Sequence, residues 1–197
     1  MLVEVITEPT VEPITLSDMK DHLRIDHTDH DDLITVLIQS SREYIEAACG
    51  RALVEQTRAV YYQAWPDNDR FELPYPPVQS VSSVVYTGAD DTENTFASSN
   101  YSVITNRSPG LLVLGYEKVW PSTTLHHEEW PIKITYVCGY DATTDSPPDY
   151  RTNIPESLIN AMKLDVERRY DRPQKDYAER LDHVIEQILS PYRVWRF

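Results

Sequence analysis

The stretch ITLSDMKDHLRIDHTDHDDLITVLIQSSREYIEAACGRALVEQT, from Ile14 to Thr57, decides the fold. It contains two amphipathic helical patterns, joined by a short acidic link and closed by Gly50. Thr15 precedes the first pattern, and its hydroxyl is suited to accept from backbone N–H groups at the start of a helix. Asp18 follows three residues later, as in a capping box with Asp in place of Glu or Gln. The sequence therefore predicts a helix that begins at Thr15.

A longer second helix is predicted to begin near Asp29. Asp31 and Asp32 fall in its first turn, where negative charge complements the helix dipole. Gly50 is expected to end the helix, because glycine adopts a positive φ without steric cost. The apolar positions recur at helical spacing over about four turns. These positions are Leu33, Ile34, Leu37, Ile38, Tyr44, Ile45 and Ala48.

The middle of the chain reads as β-structure and the end as helix. Strand-like segments rich in Val, Tyr and Thr alternate with prolines. They are Leu53–Ala64, Val78–Tyr86, Tyr101–Thr105, Leu111–Leu114 and Pro131–Cys138. A third helix is predicted from Pro155 to a break at Pro173, because proline suits the first turn of a helix and interrupts its interior. A last helix is predicted from about Tyr177 to Leu189.

Neither pair of terminal helices can bury its apolar stripe alone, so we expect the two pairs to pack together. The predicted fold class is α+β: a small helical core from the N- and C-terminal helices with an inserted antiparallel β region. Four segments are expected: an N-terminal arm at 1–13, a helical core at 14–50 plus 154–190, an inserted β region at 51–140, and a docking tail at 191–197. The arm is expected to be extended and to lie on a neighbouring molecule.

Composition excludes several classes of protein. The chain has 197 residues, 41% of them hydrophobic, and no apolar run long enough for a membrane span. Its first residues lack the basic and apolar regions of a signal peptide. Its two cysteines, Cys49 and Cys138, are too few for a disulfide framework and are expected to be small buried residues.

The net charge of −14 argues against a protein that binds duplex DNA through a basic face. Residues 1–50 carry eleven acidic and three basic residues, which is more than half of the excess. Two interpretations stay open. The acids form a solvated surface, or they line a channel that repels phosphate.

The chain has no phosphate-binding glycine loop and no nucleophile elbow. Its densest group of potential metal ligands lies between the first two helices. This group consists of His22, Asp26, His27, Asp29, His30, Asp31 and Asp32. It lacks the glycine and the final glutamate of an EF-hand loop, and aspartates at a helix start have a structural role. We expect no metal, no cofactor and no catalytic residue. A metal-dependent hydrolase or nuclease built on His22–Asp32 is the alternative hypothesis.

Several motifs, in order along the chain, resemble those of phage head–tail connector (adaptor) proteins, in the long subgroup that is also found in gene transfer agents. The N-terminal motif residues are Thr15, Leu16, Lys20, Leu23, Arg24, Asp31, Asp32, Leu33, Ile34, Ile38, Tyr44, Ile45, Glu46, Gly50, Arg51, Ala52, Leu53, Gln56 and Thr57. The later ones are Leu73, Pro74, Pro77, Val78, Ser80, Val81, Gly139, Tyr140, Ile154, Pro155, Glu156, Leu158, Leu189, Pro191, Tyr192 and Arg193. Each motif is degenerate, so the specificity lies in their succession.

The resemblance implies a structural adaptor at the head–tail interface, made in the host cytoplasm. It implies a homo-oligomeric ring of about twelve subunits beneath the portal protein, which extends the DNA channel without binding DNA specifically. Further partners would be the next connector or a tail-completion protein, and no membrane. Another virion component that shares the ring arrangement, such as a tail terminator, is a third hypothesis.

The tail joins aromatic and basic residues, the types that dominate binding hot spots. These are Tyr192, Arg193, Trp195, Arg196 and Phe197. They either cap the chain's own core or anchor it in a partner. In the resembling family the C-terminal segment docks on the portal ring, so the resemblance implies portal binding by this tail. Removal of Tyr192–Phe197 is expected to leave the fold intact and abolish attachment. Candidate subunit contacts are Tyr44, Arg51 and the N-terminal arm.

Overall fold

The computed structural model describes residues 1–127, 130–141, 153–171 and 175–194. Two compact units divide the chain. One, the β unit, comprises Met1–Pro9 and Glu55–Gly139, and the other, the helical unit, comprises Thr10–Val54 and Tyr140–Phe197. The predicted α+β class is confirmed, with helices in one unit and antiparallel strands in the other.

The helical unit contains four α-helices in its described residues. They are α1 (Leu16–Leu23), α2 (Asp31–Cys49), α3 (Glu156–Asp171) and α4 (Lys175–Leu189). The predicted cap of α1 is confirmed, since the Thr15 hydroxyl accepts from the Asp18 N–H at 3.1 Å and donates to the Asp18 carboxylate at 2.7 Å. The predicted end of α2 is also confirmed, with Gly50 at a φ of +64°.

One hydrophobic core joins the helices from both ends of the chain. Met19 of α1 and Ile34 of α2 are buried in the same cluster as Leu158 of α3 and Ile185 of α4. A buried hydrogen bond from the Ser41 hydroxyl to the Met162 carbonyl oxygen, at 3.2 Å, also ties α2 to α3. The terminal helices therefore bury their apolar stripes against each other.

A five-stranded antiparallel sheet forms the larger part of the β unit, in the order β1-β2-β8-β4-β5. Its strands are β1 (Leu2–Thr7), β2 (Gln56–Tyr62), β4 (Val78–Thr87), β5 (Glu93–Thr95) and β8 (Ile132–Cys138). The central β8 alternates between buried and half-buried residues, with Ile132, Ile134 and Tyr136 on its buried face. Burial raises the pKa of Tyr136, whose hydroxyl donates to the Pro74 carbonyl oxygen at 2.7 Å.

The remaining strands make a second, three-stranded antiparallel sheet in the order β3-β7-β6. They are β3 (Arg70–Leu73), β6 (Tyr101–Ile104) and β7 (Gly110–Leu114). Aromatic rings from both sheets and their loops pack together. Trp65 stacks on Trp120 with ring centroids 5.1 Å apart, and Phe71 contacts both tryptophans and Tyr62. This aromatic cluster fills the space between the sheets.

Three strands were missed by the sequence analysis. The predicted N-terminal arm contains β1, which pairs with β2 as the edge of the five-stranded sheet. Contact of residues 1–13 with a neighbouring molecule stays a prediction. The short β3 and β5 have four and three residues, too few to give an alternating pattern that stands out from a loop.

Both cysteines are buried, as predicted. No helix within the described residues combines the length and apolar character needed to cross a bilayer.

Replacement of Gly50 by alanine should lower the free energy of unfolding by about 1 kcal/mol, because a Cβ is strained at positive φ. The added Cβ would lie 3.7 Å from the Val194 Cβ, which is ordinary contact, so no clash adds to the cost. Urea denaturation followed by circular dichroism measures the change. Gly50→Asn should cost less, since asparagine tolerates this conformation. Equal stability of Gly50→Ala and the parent chain would contradict the account.

Candidate assembly surfaces

The described end of the chain is fixed on the helical unit by its backbone. A short 3₁₀ turn, Ser190–Tyr192, follows α4. Arg51 Nε donates to the Tyr192 carbonyl oxygen at 2.6 Å, and the Val194 N–H donates to the Cys49 carbonyl oxygen at 2.8 Å. Arg51 was predicted to lie at a subunit interface and Tyr192 to bind the portal. The structure shows that these two residues contact each other within one chain.

The side chains of the same segment also contact the helices. The Tyr192 hydroxyl lies 3.0 Å from the Ser157 Oγ, and Arg193 pairs with Glu186 of α4. Tyr192 is half-buried against the hydrophobic core. Removal of Tyr192–Phe197 would delete these contacts, so the expectation that this deletion spares the fold is not supported. Trp195, Arg196 and Phe197 lie outside the described residues.

Buried groups under the tail are neutral near physiological pH. Burial raises the pKa of the Cys49 thiol to about 11. Burial also raises the pKa of Tyr140, although the Arg51 guanidinium opposes this shift. Among the described residues near the tail, Arg51, Arg193 and Glu186 are charged.

Tyr44 is held at the surface of α2 by a charged group of α3. The Arg169 guanidinium lies 5.5 Å from the centroid of the Tyr44 ring, and its Nη1 donates to the Ser40 Oγ at 2.7 Å. Arg169 Nε lies 2.9 Å from an oxygen of Asp165, which is fully buried. Tyr44 is consequently exposed but braced, as a preorganised contact residue would be.

The outer face of α2 is apolar and exposed. Leu33 and Tyr44 share the helical spacing of the apolar stripe, yet both lie at the surface. Val36 was missed by the sequence analysis and is 62% exposed. The signal was present, because steps of three or four residues separate Leu33, Val36, Ser40, Tyr44 and Ala47.

Two further exposed features were missed. Tyr116 and Val119 are almost fully exposed on a turn where the Lys118 N–H donates to the Gly115 carbonyl oxygen. Large apolar residues inside a turn sequence were the signal for this surface. β1 is an edge strand, and Leu2 and Ile6 on it are exposed. Edge strands present unpaired backbone groups to other chains.

The histidines of the potential metal cluster contact different partners. His22 Nε2 lies 3.0 Å from a Glu167 carboxylate oxygen, and His30 Nδ1 lies 2.5 Å from the Tyr170 hydroxyl. Both contacts connect the α1–α2 region to α3. Among the described residues no group of three His, Cys, Asp or Glu side chains is arranged to hold a metal ion. His22 and His30 of this cluster thus link the α1–α2 region to α3 in this structure.

These exposed apolar surfaces, on α2 of the helical unit and on the β unit, favour a protein that assembles with other proteins. Residues 13–109, just under half of the chain, match the family of phage gp6-like head–tail connector proteins. The resemblance identified from the sequence motifs is thereby confirmed. No protein among curated sequences matches the chain significantly.

Solved structures extend the likeness in fold to the whole chain. A chain from the neck of an empty gene transfer agent (GTA) particle, computed with C6 symmetry, is 16% identical, with a TM-score of 0.77. A chain from the virion of a native GTA particle is 17% identical, with a TM-score of 0.78. A chain from the neck of a native GTA particle, computed with C12 symmetry, is 18% identical, with a TM-score of 0.76. Each alignment covers 100% of this chain and 97% of the other.

Replacement of Arg51 by alanine should loosen the segment around Val194. It removes the hydrogen bond to the Tyr192 carbonyl oxygen, and a bond of about 1 kcal/mol corresponds to roughly fivefold faster opening. Hydrogen exchange of the Val194 amide, read by NMR, measures this opening. Arg107→Ala, in the β unit, is the control and should leave the Val194 rate unchanged. An unchanged rate in Arg51→Ala would show that Arg51 does not hold the tail.

Proposed function

We propose that this chain is a structural adaptor in the neck of a tailed phage or gene transfer agent particle. Its copies form a ring beneath the portal, extend the DNA channel and connect the head to the tail. The observation that carries the proposal is the agreement of two comparisons: the connector family matches residues 13–109, and the neck proteins share the fold over the whole chain.

The proposed ring contains twelve subunits. One structurally similar neck was computed with C12 symmetry and another with C6 symmetry. A ring of twelve subunits is compatible with both symmetries. Each subunit contacts two neighbours through two different surfaces, because a closed ring requires head-to-tail contacts. Tyr44 and Arg51 stay candidates for this interface, as does the edge strand β1. The role of Arg51 there is indirect, because its hydrogen bond to the Tyr192 carbonyl oxygen holds the segment around Tyr192 in place.

The work of this adaptor is mechanical. Its net charge of −14 suits a channel that repels the phosphates of passing DNA. Many of these acids lie in residues 1–50, and Asp18, Asp29 and Asp32 among them are exposed or half-exposed. His22 and His30 of the alternative metal cluster contact α3 side chains, which favours the adaptor over a metal-dependent hydrolase.

The C-terminal tail is the proposed portal anchor. Tyr192 and Arg193 contact their own helical unit. Trp195, Arg196 and Phe197 are then the residues that enter the portal protein, with the aromatic and basic chemistry of binding hot spots. The next connector or a tail-completion protein would bind the opposite side of the ring.

A truncation after Val194 tests this anchor. It removes Trp195, Arg196 and Phe197 and keeps the contacts of Tyr192 and Val194. We expect an unchanged melting temperature and the loss of binding to portal-bearing heads, measured by co-sedimentation of purified protein with heads. Loss of one central aromatic anchor typically weakens binding by 2 kcal/mol or more, about thirtyfold.

Two controls define the result. Trp195→Phe keeps an aromatic ring and should retain most of the binding, whereas Trp195→Ala should not. A tail terminator would instead bind tails and not heads. Normal occupancy of heads by the truncated protein would overturn the role of the tail in docking.

A further inference from the structure

We propose that neighbouring subunits contact each other through an antiparallel helix pair, with the outer face of α2 in one copy packed on the outer face of α4 in the next. This inference rests on the ring of the proposed function, and it assigns the two surfaces that meet. Three observations support it: the exposed apolar stripe of α2, a second stripe on α4, and a matching placement of charge.

The α2 stripe consists of Leu33, Val36, Ser40, Tyr44 and Ala47. Its opposite side is buried in the hydrophobic core of its own chain, through Ile34, Ile38 and Ile45. Helices that are apolar on two sides normally have two partners, because large exposed apolar residues are costly in water. Arg169 braces Tyr44 and Ser40, so the stripe is held in one conformation before contact.

The α4 stripe has the same character. Tyr177 and Val184 are 48% and 40% exposed, and Ile188 is half-buried. Seven positions separate Tyr177 from Val184 and four separate Val184 from Ile188, so the three residues share one face of the helix. Leu181, Ile185 and Leu189 face the chain's own core. The Tyr177 hydroxyl donates to a Glu167 carboxylate oxygen at 3.2 Å, and the charge of Glu167 raises the pKa of this phenol. This hydrogen bond fixes the ring while one of its faces stays exposed.

The α4 stripe matches the part of the α2 stripe between Leu33 and Tyr44 in length. Leu33 to Tyr44 and Tyr177 to Ile188 are each separated by eleven positions, which corresponds to about 16 Å along a helix. In an antiparallel pair Leu33 lies opposite Ile188, Val36 opposite Val184, and Tyr44 opposite Tyr177. The steps of three and four residues on both helices are those that interlock at a crossing angle of about 20°.

Charge placement favours this antiparallel direction. Arg180 is exposed on α4 between Tyr177 and Val184, and Glu43 is exposed on α2 next to Tyr44. When Tyr44 lies opposite Tyr177, Glu43 lies opposite Arg180. Ser40, the small residue of the α2 stripe, leaves room for the Arg180 stem. In the parallel direction Glu43 would lie near the other end of α4, beyond the reach of Arg180.

The pairing is heterologous, because the surface on one copy differs from the surface on the next. Each subunit then presents one stripe to each neighbour, and a rotation between them closes a ring. A typical stable interface buries about 800 Å² per partner, of which one helix pair supplies only a part. A covalent trap is therefore a suitable way to detect the contact in the free protein.

The test uses the full-length chain with Val36→Cys, Val184→Cys or both substitutions. Its native cysteines, Cys49 and Cys138, are at most 1% exposed and should not react while the protein is folded. Under mild oxidation at high protein concentration, the doubly substituted chain should give a ladder of covalent multimers. An equal mixture of the two singly substituted chains should give one covalent dimer, and each alone should stay monomeric on a non-reducing gel.

A matched control defines background collision. Val119 is 80% exposed and lies in the β unit, so the pair Val119→Cys with Val184→Cys should give at least tenfold less ladder. An equal yield from this pair would overturn the proposal. So would dimers from Val36→Cys alone, which indicate two like surfaces in contact, or the absence of a ladder from the doubly substituted chain.

A charge exchange tests the direction of the pair. Glu43→Arg or Arg180→Glu alone should lower the ladder yield several-fold, and the two together should restore it. A yield that stays low in the combined variant would overturn the antiparallel register. These failures differ from a failure of the proposed function, because the presence of the chain in particle necks is measured independently of its helix contacts.

Discussion

The mutual burial of apolar faces from the two ends of the chain is the interaction on which the rest of the structure depends. Ile34 and Ile38 of α2 share one core with Leu158 and Met162 of α3. Between them in sequence lies Glu55–Gly139, the larger part of the β unit. A helix as short as α1, with eight residues, is not stable in isolation. It persists because Met19 is fully buried in this shared core.

Buried ion pairs connect this core to the surfaces that are candidates for assembly. Asp165 is fully buried, and Arg168 Nη2 and Arg169 Nε lie 2.7 Å and 2.9 Å from its oxygens. Arg169 then reaches Ser40 and Tyr44 on α2. Because an unpaired charge in a core is costly, Asp165 holds both arginines of its own helix in place. Their contacts with Ser40 of α2 and Asp182 of α4 restrict how the helices slide against one another. Rigid positions for exposed contact residues follow from this restriction.

A buried arginine of α2, Arg42, fixes the segment that leads into α1. Arg42 Nε lies 2.9 Å from a Glu12 oxygen, and its Nη1 lies 3.5 Å from Glu46. Glu46 also accepts from the Leu53 N–H at 2.7 Å, just beyond the Gly50 stop. The entry to α1 and the exit from α2 are thus linked through the middle of α2.

The sequence was most informative where the physical signal is local. The Thr15 cap and the Gly50 stop depend on one or two residues, and both were predicted. The strand β1 was not, since its pairing with β2 depends on residues fifty or more positions away. The same holds for the tail: no local pattern shows that Arg51 holds the Tyr192 carbonyl oxygen. Exposure of Val36 depends on which side of α2 meets α3, and periodicity alone does not determine that side.

The central claim is that this polypeptide is a structural part of the particle neck. Cryo-electron microscopy of particles produced with and without the chain tests it most directly. The account predicts a ring of density between portal and tail that fits this fold, and DNA-filled heads without tails when the chain is missing. Complete, tailed particles in the absence of the chain, or a neck whose density excludes this fold, would contradict the account.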